Sequence, residues 1–179
     1  MKQLSLFLIA ALFLSMGCRK NQIQDKDLRD FNQVNLVANT AEYNPATVDP
    51  TLLNAWGLAW SPGGIAWVNS MSGHVSELYT SEGGIGRAPV LIPSPADTMG
   101  GLPTGIIFNS TKGFILPNGA ASAFIFVGVD GILSAWNGVA GNKAFRIANN
   151  SATSSYTGLT FGVNGANKYI YAANFRTGK

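Results

Sequence analysis

From about Phe31 onward the apolar residues fall in short runs rather than in helical stripes. Gly57-Leu58-Ala59-Trp60, Ile65-Ala66-Trp67-Val68, Val75-Ser76-Glu77-Leu78-Tyr79, Phe124-Ile125-Phe126-Val127 and Ile132-Leu133-Ser134-Ala135-Trp136 are rich in β-branched or aromatic residues and bounded by Gly, Pro, Asn or Ser. Runs of this kind suit a pleated, half-buried surface and stop where the chain must turn. No stretch after residue 31 keeps a helical period for three turns, so the body is expected to be all-β.

The runs repeat. Asn54-Ala55-Trp56-Gly57-Leu58-Ala59-Trp60, Leu102-Pro103-Thr104-Gly105-Ile106-Ile107-Phe108 and Ser155-Tyr156-Thr157-Gly158-Leu159-Thr160-Phe161 share the order loop, glycine, aliphatic, any residue, aromatic, with the glycines 48 and 53 residues apart. A second strand follows each copy, at Ile65 to Asn69, Ala123 to Val129 and Tyr169 to Ala173. The first two copies continue into a third strand, Val75 to Tyr79 and Ile132 to Trp136, and a weaker fourth, Val90 to Ile92 and Ala144 to Ile147. Four strands per roughly 50 residues, with a small inner strand led by glycine and aromatic outer ones, is the pattern of a β-propeller blade. The spacing predicts blades starting near 54, 102 and 155, about 2.5 four-stranded blades over 34–179. Propellers close with about four to eight blades, so the chain is expected to be the N-terminal part of a longer protein.

Composition narrows the chemistry. Of 179 residues 12% are charged and 46% hydrophobic, with 21 Gly, one Cys and one His. The single Cys rules out a disulfide framework and any cysteine-cluster metal site, and the lone His argues against a Ser-His-Asp triad. The net charge of +3 comes largely from the first thirty residues, and from Phe31 onward seven bases face six acids. No basic footprint for nucleic acid is left.

The N-terminus reads as a targeting segment. Lys2 precedes a thirteen-residue apolar run, Leu4 to Met16, too short for a resident membrane helix and suited to a cleaved signal. The sequence Leu14-Ser15-Met16-Gly17-Cys18 resembles a bacterial lipobox, with Leu one position early. A lipoprotein signal peptide over 1–17 and lipidation of Cys18 are therefore expected, with acyl chains anchoring the exported protein to a membrane of the cell envelope, periplasmic or surface-exposed. Residues 18–33, with almost no apolar side chains after Cys18, form a hydrophilic tether.

Four segments carry a family resemblance: Asp49 through Ala59, Pro103 through Asn109, Phe124 through Asn137, and Tyr171 through Gly178. In order and spacing they resemble an uncharacterised family of secreted bacterial propeller proteins, from about Val34 to the end. The resemblance implies a six-bladed propeller related to NHL-repeat and gluconolactonase-like domains, in a chain about twice this length. Ala55 replaces the Pro usual in the family, and Val129 the acidic residue that often precedes Asp-Gly.

Propeller geometry would gather the loops leading into the inner strands with those joining strands two and three. Asn54, Trp56, Thr104, Tyr156 and Thr157 would then meet Ser70, His74, Asp130, Asn174 and Arg176 on one polar and aromatic rim suited to a sugar or peptide. Each has a plainer reading: Trp56 as packing between blades, His74 as an exposed turn residue, Asp130-Gly131 as a hairpin turn. Two function classes follow. The favoured one is a non-catalytic envelope module binding a glycan, peptide or protein partner. The other is a metal-assisted hydrolase or lyase of gluconolactonase type. Such a site needs several axial Glu, Asp or Asn ligands, and this stretch offers only Asn54, Asp130 and Asn174. No cofactor is evident, and a divalent cation such as calcium would enter only with the full-length protein.

Overall fold

The computed structural model describes residues 32–179, and one compact unit, Asn35–Lys179, holds every element named below. The expected signal peptide, Cys18 and most of the tether lie outside the described residues. The fold is all-β. Two short strands, β1 (Val37–Ala38) and β2 (Thr47–Val48), pair in parallel. Then come two four-stranded antiparallel meanders. Sheet I runs β3 (Ala55–Trp60), β4 (Ala66–Ser70), β5 (Val75–Tyr79) and β6 (Val90–Leu91). Sheet II runs β7 (Pro103–Phe108), β8 (Phe124–Gly128), β9 (Ile132–Trp136) and β10 (Phe145–Asn149). A hairpin of β11 (Tyr156–Asn164) and β12 (Asn167–Asn174) completes the described chain. No sheet closes on itself among the described residues.

Turn chemistry sets the strand ends. Between β8 and β9 the Gly131 amide donates to the Gly128 carbonyl at 3.0 Å, with Gly131 at φ +77°, a backbone region that costs a residue with a Cβ. Asp130-Gly131 is thus a turn, as its sequence suggests. The β4–β5 turn uses His74 instead, at φ +64°.

The first strand of each sheet carries the same irregularity at the same place. In β3 the pairing jumps from Ala55↔Ser70 to Leu58↔Val68, in β7 from Pro103↔Gly128 to Ile106↔Phe126, and in β11 from Tyr156↔Asn174 to Gly158↔Ala173. One residue is extra each time, a β-bulge. Gly57, Gly105 and Gly158 each sit two positions beyond the residue paired before the bulge. A methyl group on Gly57 would lie 2.9 Å from Ile106 Cγ2 and closer still to the Thr104 carbonyl, and one on Gly105 would lie 2.8 Å from Leu159 Cβ. The absence of a Cβ is what lets β7 approach β3 and β11 approach β7.

Alternation then sorts the side chains into two cores. Between the sheets, Trp67, Leu78, Val90 and Ile92 pack against Ile106, Phe124, Phe126 and Trp136. Trp67 stacks on Phe124 with centroids 3.9 Å apart and lies 4.9 Å from Trp136, whose outer face carries the Arg87 guanidinium at 5.2 Å. Each large side chain buried here contributes about 1.5–3 kcal/mol by leaving water. A smaller core of Leu116, Ile125 and Ala135 joins sheet II to Leu159 and Ile170 of the hairpin. Two apolar surfaces stay open: Trp56, Leu58 and Trp60 along β3, and Tyr169 and Tyr171 on β12.

Candidate functional site

The three first strands, brought close at Gly57 and Gly105, line one cleft of about 220 Å³ with three residues each from β3, β7 and β11. Of the lining residues Trp56 is 47% exposed. Thr157 lines the same cleft, while Thr104 is fully buried and its hydroxyl is placed to donate to the Tyr156 carbonyl at 2.7 Å or that of Val127 at 3.1 Å. Thr104 therefore ties β7 to β11 and turns no free hydroxyl to the cleft.

The other polar residues singled out by sequence share a different pattern. In each repeat a side chain at the end of the second strand or in the turn after it accepts the amide of a residue just before the first strand. Ser70 Oγ accepts from Leu53 N at 2.8 Å, Asp130 Oδ2 from Leu102 N at 3.1 Å, and Asn174 Oδ1 from Ser155 N at 3.0 Å. Asp130 also accepts from Ile132 N at 3.4 Å, and Asn174 donates to Ser154 Oγ at 3.1 Å. Arg176 lies in the last turn and donates to the carbonyls of Ser151 and Ala152 at 3.1 and 2.8 Å. His74 holds Nδ1 at 2.9 Å from the Gly101 carbonyl, which requires the tautomer protonated there. The Tyr156 hydroxyl accepts from Asn150 at 2.8 Å, and Asn54 is exposed at φ +52° with its amide 4.0 Å from Met71 Sδ. Of the ten candidates only Trp56, Thr104 and Thr157 line the cleft, and the rest fasten or shape the loops around it. Among the described residues no three His, Cys, Asp or Glu side chains gather as a metal site would need.

A second polar group escaped the sequence reading. Asp49, Thr51, Glu77 and Tyr79 meet on the face of sheet I turned away from sheet II. Asp49 accepts from the Thr51 amide at 2.9 Å, the Thr51 hydroxyl at 2.6 Å and the Tyr79 hydroxyl at 2.7 Å, and Thr51 Oγ1 also lies 2.6 Å from Glu77 Oε1. Burial alone would raise the Asp49 carboxyl, but these three donors outweigh it and hold the group below its ordinary 3.8. Burial pushes the Tyr79 hydroxyl strongly upward, and its bond to Asp49 adds to that. The one sequence signal was a carboxylate, Glu77, in the middle of an otherwise strand-like run.

No protein-family model matches the chain, and no curated protein matches it.

Proposed function

We propose that the two sheets and the hairpin are successive blades of a β-propeller, and that the chain is an exported, Cys18-anchored binding module of the cell envelope. The bulge and the loop-fastening bond, which recur in all three units, and the glycine contact, which joins the first unit to the second and the second to the third, support the blade reading. Further blades would cover Leu58 and Trp60 of β3 and Tyr169 and Tyr171 of β12. The observation that carries the function is the cleft where the three first strands meet. It presents the half-exposed indole of Trp56 and the Thr157 side chain and has no carboxylate in its lining. An aromatic face beside a few polar groups suits stacking with orientation by hydrogen bonds. At about 220 Å³ the cleft is smaller than the ~300–1,000 Å³ of a drug-sized site, so it takes one sugar ring or one peptide side chain.

A glycan and peptide array probed with the wild type, Trp56→Ala and Arg176→Ala tests this reading. Trp56→Ala is expected to weaken the strongest hits at least tenfold, equivalent to about 1.4 kcal/mol, and Arg176→Ala to leave them unchanged. Hits that Trp56→Ala leaves untouched would refute the cleft as the binding site.

A further inference from the structure

The two sheets share strand order and pairing register, yet they differ where Glu77 stands. Glu77 pairs with Val68 in the middle of β5, and the matching residue of β9 is Ser134, paired with Phe126. Tyr79 likewise matches Trp136, through the pairs Ala66↔Tyr79 and Phe124↔Trp136. In sheet II this face bears Phe126 and Trp136 and packs on sheet I. In sheet I the corresponding face meets the N-terminal segment Asn35–Leu53 instead, through Asp49 and Thr51. The carboxyl and the phenol are therefore specific to the contact with that segment.

The geometry of the contact fixes a proton. Thr51 Oγ1 lies 2.6 Å from Asp49 Oδ1 and 2.6 Å from Glu77 Oε1. A threonine hydroxyl has one hydrogen to donate and an ionised carboxylate has none. With both acids charged, one of these contacts would set acceptor against acceptor. Asp49 has three donors around it, as a carboxylate requires. Glu77 is 3% exposed, and the Thr51 hydroxyl is the hydrogen-bond partner it meets. The proton therefore sits on Glu77, which donates to Thr51 Oγ1, and Thr51 in turn donates to Asp49.

We propose that the chain Glu77–Thr51–Asp49 is a proton-dependent latch that holds the segment Asn35–Leu53 on sheet I, fastened while Glu77 is protonated and loosened when it ionises. Ionisation releases one proton and leaves two carboxylates competing for a single hydroxyl. Burial raises the Glu77 carboxyl above its ordinary 4.5; the Thr51 bond opposes this and the charge of Asp49 adds to it. The titratable groups acting on Glu77 are Asp49, across the contact, and Tyr79 on its own strand, which stays neutral. For an acid raised in the folded state, the stabilisation is complete below the ordinary 4.5 and is lost as pH rises through the folded value. Asp49, held below 3.8, works the other way and loses its contribution only as pH falls through its own lowered value. The latch is thus tightest between 3.8 and 4.5 and weakens as pH rises from there.

Hydrogen exchange on the full chain reads the latch directly. The amides of Thr47, Asp49 and Leu53 are hydrogen-bonded within the segment or across to Ser70 and report its opening. After correction for intrinsic exchange, their opening equilibrium is expected to rise up to tenfold per pH unit from about pH 4.5 until Glu77 has ionised. Glu77→Gln keeps a donor for Thr51 and does not titrate, so its protection should not vary over that range. Thr51→Val, which removes the hydroxyl, should open faster at every pH. A wild-type profile that is flat, or a Glu77→Gln profile as steep as the wild type, overturns the proposal. Should Glu77→Gln not fold, the carbon-13 titration of the Glu77 carboxyl in the wild type decides: an inflection above 4.5 is required, and one at or below it overturns the latch.

Discussion

Replacing Gly57, Gly105 and Gly158 by alanine, one at a time, should give three different answers from three equivalent positions. None of the three has a positive φ, so the backbone tolerates a Cβ, and alanine in a strand gains about 0.5–1 kcal/mol over glycine. At Gly158 the nearest atom to the new methyl is Ala173 Cβ at 3.9 Å, and that gain is kept. At Gly105 the methyl meets Leu159 Cβ and N at 2.8 Å and Val127 Cγ2 at 2.9 Å. At Gly57 it meets Ile106 Cγ2 at 2.9 Å, Ile106 N at 3.1 Å and, nearest of all, the Thr104 carbonyl. Backbone atoms cannot rotate aside, so β3 and β7 must separate and loosen the core around Trp67 and Phe124. Overpacking of this kind costs about 1–3 kcal/mol, and more where backbone is the obstacle. At about 2–4 °C per kcal/mol for a chain of this size, Gly57→Ala should melt roughly 2–12 °C lower. On the same scale Gly158→Ala should melt about 1–4 °C higher. Gly105→Ala falls between, because its backbone obstacle, Leu159 N at 2.8 Å, is farther from the methyl than the Thr104 carbonyl is at Gly57, and Val127 Cγ2 can give a little. Thermal melts followed by far-ultraviolet circular dichroism on the 179-residue protein give the comparison. Equal shifts at all three positions, or a Gly158→Ala loss as large as that of Gly57→Ala, would refute the reasoning.

Asp130→Ala removes the acceptor for the Leu102 and Ile132 amides and should cost about 1–3 kcal/mol, read as a lower urea midpoint at unchanged slope; Asp130→Asn, which keeps an acceptor, should lose less. Cys18→Ser should move the exported protein from the membrane fraction to the soluble one, and retention in the membrane would contradict lipidation at Cys18.

The strands were legible because their signal is local. A glycine, an aliphatic and an aromatic at fixed spacing mark the first strand of each unit, and Val75 to Tyr79 and Ile132 to Trp136 form as read. Against expectation β4 shifts by one residue, β8 loses one at each end and β12 gains two at its start and one at its end, since strand ends depend on turn bonds rather than on the pattern. The parallel pair β1–β2 left no trace, because two-residue strands are too short to show alternation. The candidate site was legible only in part. Trp56 and Thr157 stand in the cleft, whereas Ser70, Asp130 and Asn174 are taken up by amides of the loops they adjoin. Polar residues near turns look alike in sequence whether they meet a ligand or a backbone amide, and only the fold separates them. The Asp49–Glu77 contact joins residues far apart along the chain, which no local pattern reveals.

The central claim, that the meeting point of the three first strands is a binding cleft, is tested most directly by nuclear magnetic resonance of the protein titrated with the strongest array hit. Binding in the cleft predicts that the largest shifts fall on the Trp56 indole and on the amides of Thr157 and Gly158, all of which line it. Shifts confined to the turns carrying Asp130 or Arg176, with the Trp56 indole unmoved at saturation, would contradict it.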